Sequence, residues 1–114
     1  MSKLRLVINN DLKKHREKFF IKRELQCILN LYAKMVSNGS WKDYSFTSGF
    51  REISFDVYQR ASDKPVLRIT KNLKPNYYNE RFLIKDRNGN VIQKSEDLNN
   101  LIKKTSWNSI KLIK

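Results

Sequence analysis

Hydrophobic residues recur at helical spacing between residues 22 and 37. Successive apolar positions fall one or three residues apart, which places them on one face of a helix: Leu25, Ile28, Leu29, Tyr32, Met35 and Val36. Asn38 and Gly39 follow, and a glycine suits the left-handed position just beyond a helix. The pattern therefore predicts a helix over residues 22–37, with Trp41 and Tyr44 folding back onto its apolar face.

The period of the pattern changes to two from residue 50 onward. Ile53, Phe55 and Val57 alternate with polar residues, as in a strand with one buried face. Residues 61–65 contain a turn, and Asn88-Gly89 is a strong signal for a tight turn. Further strands are marked by the apolar pairs Leu67 and Ile69, Phe82 and Ile84, and Val91 and Ile92. These segments predict an antiparallel meander of three or four strands, one face of which packs on the helix.

A second helical region follows Ser95. We predict Ser95 as its N-cap, with Glu96 and Asp97 in the first turn, where the helix dipole favours acidic side chains. Helical spacing then continues, with a break at Thr105-Ser106, through the apolar residues Leu98, Leu101, Ile102, Trp107, Ile110 and Ile113. The predicted fold class is therefore α+β, with an N-terminal helix packed on the meander sheet and one or two C-terminal helices.

The N-terminal residues differ from the rest of the chain in composition. The polar stretch Asn9-Asn10-Asp11 and the basic run at residues 13–16 do not suit a packed core. We therefore predict a mobile basic arm over residues 1–19 and a single domain over residues 20–114. Cys27 is the only cysteine, so no disulfide can form within the chain, and no apolar run approaches the roughly 20 residues of a membrane span. These features lead us to expect a cytoplasmic protein.

Net charge is the feature that bears most on function. The 114 residues contain 24 Lys and Arg against 11 Asp and Glu, a formal net charge of +13. A small soluble domain usually carries a net charge of about 2 to 8 in magnitude, because a larger excess repels itself in the compact state. The excess is concentrated in residues 1–23, 64–87 and 101–114. This distribution predicts a polyanionic partner, although abundant lysine is also typical of a merely solubilising surface.

Two blocks of the sequence resemble a known bacterial family. The first comprises RELQ at residues 23–26, ILNLY at 28–32, MV at 35–36 and GxWxDY at 39–44. The second is YQRASDKPVLRI at residues 58–69. Together they are similar to an alphaproteobacterial domain of unknown function, number 2794, over about residues 20–102. The resemblance implies a bacterial cytoplasmic protein and implies no activity or catalytic residues. The hydrophilic arm and the Asn- and Lys-rich surface depart from the family pattern.

The sequence contains no residue pattern typical of an active site. His15 is the only histidine, and a single His with a single Cys cannot form a zinc site or a nucleophile with its base. The three glycines fall in separate turns, so no phosphate-binding loop is present. We therefore expect a protein without enzymatic activity, cofactor or small-molecule substrate.

The basic and aromatic residues favour binding to RNA or DNA. On the sheet, we expect five side chains to point away from the helix: Tyr58, Arg60, Arg68, Arg81 and Lys85. We place Lys71, Lys74, Tyr77 and Tyr78 in an adjoining loop. The arm and the first helical turn add Lys13, Lys14, Arg16, Lys22 and Arg23. Cations neutralise phosphates, and an exposed tyrosine stacks on an unpaired base. The same tyrosines are equally compatible with packing at the rim of the sheet.

A protein partner is the alternative hypothesis. An edge strand and an apolar C-terminal segment with Trp107, Ile110, Leu112 and Ile113 are suited to an adaptor module or a homodimer. A basic surface also suits an acidic protein as well as it suits a nucleic acid. Binding to a membrane surface is less favoured, because the apolar end of the arm is short.

Overall fold

Two helices pack on one face of a five-stranded antiparallel sheet. The computed structural model describes residues 19–60 and 64–107. Its elements in chain order are α1 (Lys22–Ser37), β1 (Asp43–Ser48), β2 (Glu52–Tyr58), β3 (Leu67–Asn72), β4 (Phe82–Asp86), β5 (Val91–Ser95) and α2 (Leu98–Lys104). The strands lie side by side in the order in which they follow one another, and every neighbouring pair is antiparallel. The α+β meander is confirmed, with five strands rather than three or four.

Helix α1 has the bounds that the sequence pattern predicts. Its first turn is held by Glu24, whose carboxylate accepts a hydrogen bond of 2.8 Å from the Ile21 N–H. Ile28, Leu31 and Met35 are its buried residues and face the sheet. The helix ends at Asn38, and the following Gly39 adopts the left-handed conformation with a φ of 83°.

The strand that the sequence pattern missed is β1. Tyr44 and Phe46 turn toward α1, while Ser45 and Thr47 turn to the other face. The alternation is present in the sequence, but only two apolar residues mark it, and hydroxyl side chains fill the positions between them. β1 lies at the edge of the sheet and is mostly exposed, so it lacks the dense apolar signal of a buried strand.

One continuous core joins both helices to the sheet. Its buried apolar residues come from α1, from the helix-facing side of β2, β3 and β4, and from α2 through Leu98 and Leu101. Trp41 is buried beside Tyr32, and its indole meets that of Trp107 at 5.8 Å between ring centroids. Trp107 therefore packs on the domain's own core. Residues 110, 112 and 113 of the apolar C-terminal segment lie outside the described residues.

Lys71 does not lie in the basic loop to which the sequence analysis assigned it. It belongs to β3 and turns toward the helices, paired in register with Ile53 and Phe82. The residue is only 2% exposed. Its ammonium group donates to the Glu24 carboxylate at 2.8 Å and to the Phe19 carbonyl oxygen at 2.9 Å. Lys71 therefore ties the chain before α1 to the sheet.

The start of α2 also differs from the prediction. Ser95 is the last residue of β5, and the N-cap is Asp97, whose carboxylate accepts a hydrogen bond from the Asn100 N–H at 2.9 Å. The Ser95 hydroxyl instead accepts from the Asp97 N–H at 3.2 Å. Serine and aspartate both cap helices well. Asp97 is the N-cap here because Ser95 pairs with Phe82 and so belongs to the sheet.

Replacing Gly39 by alanine is expected to lower the free energy of unfolding by about 1–2 kcal/mol, the cost of a side chain in the left-handed conformation. A Cβ at this position would meet no heavy atom within 4 Å, so the effect comes from the backbone and not from crowding. Gly39→Asn should recover much of the loss, because asparagine tolerates this conformation. Urea unfolding of the two variants measures the difference, and equal losses would contradict the backbone explanation.

Candidate nucleic-acid interface

Polar and charged side chains form the face of the sheet that is turned away from the helices. The strand register places on it Asp43, Ser45, Thr47, Glu52, Ser54, Asp56, Tyr58, Arg68, Thr70, Asn72, Leu83, Lys85 and Lys94. We call it the open face, because both helices of the described ranges pack on the opposite side. The expected outward direction of Tyr58, Arg68 and Lys85 is confirmed.

A buried carboxylate lies at the centre of the open face. Asp56 is almost fully buried, and its oxygens accept hydrogen bonds from the Ser54 hydroxyl at 2.7 Å and from the Thr47 hydroxyl. The Arg68 Nε lies 3.7 Å from the same carboxylate. Asp56 therefore holds three strands together through short polar side chains and orients Arg68, whose side chain is still 44% exposed.

A second ion pair crosses the open face diagonally. The Lys85 ammonium lies 3.3 Å from the Glu52 carboxylate, across β3. Both groups remain accessible to solvent, and exposed pairs of this kind contribute only about 0–1 kcal/mol to stability. An anionic ligand can therefore compete with Glu52 for Lys85 at little cost.

Four basic side chains converge at one end of the open face. Here β3 begins and β4 ends, and a cavity of about 390 Å³ is lined by Lys64, Pro65, Arg68, Lys85, Asp86, Arg87, Asn88 and Gly89. We call this cavity the basic pocket. No sequence pattern marks Lys64 or Arg87 individually as a binding residue. The only signal for them was the charge excess of residues 64–87, because the pairing of β3 with β4 is what brings the two ends of that segment together.

The single carboxylate of the basic pocket is already engaged by its own turn. Asp86 Oδ1 accepts hydrogen bonds from the N–H groups of Asn88 and Asn90, both at 2.9 Å. Gly89 completes the turn with a φ of 88°. Arg87 has no ion-pair partner among residues 19–60 and 64–107, and its buried Nε has no acceptor there either. The pocket therefore combines a rigid turn with an excess of positive charge.

Exposed aromatic residues gather at the opposite end of the sheet. Tyr77 and Tyr78 are 69% and 84% exposed in the segment between β3 and β4. Phe50 lies in the neighbouring turn between β1 and β2, with the Lys74 ammonium 5.9 Å from the centre of its ring. The Leu73 N–H bonds the carbonyl oxygen of residue 51 and so joins this turn to the segment. The six residues of β3 separate the aromatic end from the basic pocket by about 17 Å.

The structure divides the predicted binding residues into four groups. At or next to the pocket end are Tyr58, Arg60, Arg68 and Lys85, and at or next to the aromatic end are Lys74, Tyr77, Tyr78 and Arg81. Lys22 and Arg23 lie on α1, in the helix layer behind the sheet, and Lys71 is buried. Lys13, Lys14 and Arg16 lie outside the described residues.

A comparison with protein families shows to which family this chain belongs. A family model described as "Protein of unknown function (DUF2794)" matches residues 18–102. The chain belongs to the DUF2794 family. The family that the two sequence blocks indicated is therefore confirmed. Comparisons with curated proteins and with solved structures find no match for the chain.

The DUF2794 match contains all five strands, the basic pocket and the aromatic end. It also contains most of a groove between α1 and α2, where cavities of about 270 and 510 Å³ share Cys27 and Asn99. Within the described ranges, no three His, Cys, Asp or Glu side chains lie close enough to hold a metal ion. No helix of the described ranges has the length and apolar character needed to span a membrane.

Proposed function

We propose that this DUF2794 protein binds RNA or DNA as an unpaired strand laid along the open face. The observation that carries the proposal is a pocket with four cations at one end of the open face, with exposed aromatic rings at the opposite end of the sheet. A nucleic acid strand presents the matching features, because phosphates and base faces alternate along it. The spacing of about 17 Å between the ends is the length of a few nucleotides.

The electrostatics of the domain support a polyanionic ligand. The described residues contain sixteen Lys and Arg against eight Asp and Glu. Only Arg68, Lys71 and Lys85 form ion pairs within these residues, and two of those pairs lie on the open face with partial exposure. Most cations are therefore available to phosphates. Release of the counterions that surround a nucleic acid would then drive association.

The basic pocket is suited to hold a phosphate. Its four cations lie around one depression, and Asp86 directs an oxygen toward two backbone amides rather than toward any of them. A buried N–H without an acceptor costs about 1–3 kcal/mol, and a phosphate oxygen near Arg87 would supply an acceptor. Arginine also binds phosphate through two parallel hydrogen bonds.

The aromatic end is suited to unpaired bases. Tyr77 and Tyr78 expose most of their ring surface, so each has a face on which a base can stack. Such stacking contributes about 1–3 kcal/mol per base and tolerates any base identity. Bases paired in a duplex already stack on one another, so the proposal favours single strands over duplexes.

Fluorescence anisotropy tests the proposal with full-length protein freed of co-purified nucleic acid. Labelled single-stranded RNA, single-stranded DNA, duplex RNA and duplex DNA of about 12 nucleotides or base pairs would be titrated at about 50 mM salt. The expected result is micromolar or tighter binding of at least one single strand, with weaker binding of both duplexes. An absence of binding to all four would contradict the proposal and favour an acidic protein as the partner of the basic surface.

A further inference from the structure

Among residues 19–60 and 64–107, no strand pairs with the outer edge of β1. The Gly49 N–H bonds the Glu52 carbonyl oxygen at 2.8 Å, which fixes the alternation of hydrogen bonds between β1 and β2. Tyr44, Phe46 and Ser48 consequently direct their backbone groups away from the sheet. Of the N–H groups of these three residues, only that of Tyr44 has an acceptor within the described residues, the Asp43 carboxylate at 2.8 Å. An edge of this kind pairs readily with another strand.

An apolar surface continues from this edge onto the flank of α1. Leu29 and Val36 are 42% and 40% exposed, and Tyr44 and Phe46 are exposed to a similar degree. Tyr32 bridges the two elements, with its ring centroid 4.9 Å from that of Tyr44. We call Leu29, Val36, Tyr44, Phe46 and the outer backbone of β1 the edge patch. Burial raises the pKa of the Tyr32 phenol, and the charge of Asp43 raises it further, so this ring is uncharged at neutral pH.

The charge distribution restricts what can cover the edge patch. Helix α1 has no charged residue between Glu24 and Lys34, and β1 has only Asp43. This patch therefore lacks basic residues in a chain with a net charge of +13. An acidic partner would be attracted to the basic surfaces and not to this one. A second copy of the chain, by contrast, can approach here without bringing its cations together.

The opposite edge of the sheet differs in the features that prevent pairing. The pairing of β5 has a register irregularity opposite Ile84 and Lys85, and β5 contains Lys94. A bulge and an edge lysine are both common protections against edge-to-edge pairing. β1 pairs with β2 in continuous register over its whole length and contains no lysine. Only one of the two edges is therefore suited to association.

We propose that two copies of this chain form a homodimer by antiparallel pairing of β1 with β1 of the partner. An antiparallel pair related by a two-fold axis presents the same patch from both sides, so each outward N–H meets a carbonyl oxygen. Leu29 and Val36 of the two α1 helices would then lie at the same interface. Both open faces would point in one direction on a continuous ten-stranded sheet. The proposal does not depend on nucleic-acid binding, although two linked sites would strengthen any such binding.

Sedimentation velocity of the full-length protein, freed of nucleic acid, tests the homodimer from about 1 to about 500 μM. We expect a reversible shift from monomer to dimer in this range. Leu29→Glu places two carboxylates, one from each copy, at the dimer interface and should weaken the dimer about 100-fold, or about 2.7 kcal/mol. The matched control is Asn30→Glu, which adds the same charge one residue further along, on the other flank of α1. It should leave the dissociation constant within about threefold of the unchanged protein.

Backbone hydrogen exchange distinguishes the homodimer from other ways of covering the edge. The amides of Phe46 and Ser48 should become protected as the protein concentration rises, in parallel with the dimer fraction. A protein that stays monomeric up to about 500 μM would overturn the proposal. If those amides were protected in the monomer at every concentration, the edge would be covered by another segment of the same chain. An equal effect of Leu29→Glu and Asn30→Glu would also contradict the assigned interface.

Discussion

Replacing Glu24 by glutamine is expected to lower the free energy of unfolding by about 3 kcal/mol or more. The variant keeps the shape of the side chain and an oxygen that can accept hydrogen bonds, but it removes the charge that faces Lys71. The Lys71 side chain is 3% exposed, so its ammonium group would be left buried and uncompensated. Removing one partner of a buried ion pair typically costs about 3–5 kcal/mol. Urea unfolding followed by circular dichroism measures the loss.

The matched variant is Lys71→Met, which removes the buried charge together with its need for a partner. Its neighbours across the sheet are the apolar Ile53 and Phe82, so a methionine fits the surroundings. Replacing buried ion pairs by apolar residues is often neutral or stabilising. The double variant Glu24→Gln with Lys71→Met should therefore be more stable than Glu24→Gln alone. A Glu24→Gln protein within about 1 kcal/mol of the unchanged one would show that the pair is well solvated.

Reversing two charges in the basic pocket is expected to weaken nucleic-acid binding about 100-fold at low salt. The variant is Lys64→Glu with Arg87→Glu. Neither residue forms an ion pair within the described residues, so the loss should come from the ligand and not from the fold. Anisotropy titrations with the tightest-binding single strand measure the affinity. Thermal unfolding of the same samples shows whether the variant remains folded.

A second pair of reversals controls for the change in net charge. Lys34 and Lys103 are exposed on α1 and α2, in the helix layer behind the sheet. Lys34→Glu with Lys103→Glu lowers the net charge by the same amount, so it equally reduces long-range attraction. We expect its affinity to fall by less than about tenfold. Equal losses in both variants would mean that the ligand senses only the overall charge and does not occupy the pocket.

Much of the fold follows from the sequence, and the exceptions have physical reasons. The helix over residues 22–37 was predictable because its buried side chains repeat at helical spacing and Gly39 ends it. The first strand was missed because an edge strand buries little, so few apolar residues mark it. Lys71 was misplaced because a lysine at the end of a strand resembles a loop residue. Its burial depends on Glu24, which is 47 positions away in sequence.

The candidate interface was predictable in part. Strand alternation was sufficient to place Tyr58, Arg68 and Lys85 on the face away from the helices. The contributions of Lys64 and Arg87 depend on which strands pair and where the turn between β4 and β5 folds, and no local pattern contains that information. Lys22 and Arg23, by contrast, belong to the predicted helix over residues 22–37, which already placed them in the helix layer.

The salt dependence of binding shows whether phosphates are held in the basic pocket. The logarithm of the association constant for a single strand should fall linearly with the logarithm of salt concentration, with a slope of about −3 for four phosphate contacts. Lys64→Glu with Arg87→Glu removes two of these contacts and should bring the slope to about −1.5, whereas Lys34→Glu with Lys103→Glu should leave it near −3. A slope near zero, or one that the pocket reversals do not change, would contradict the account.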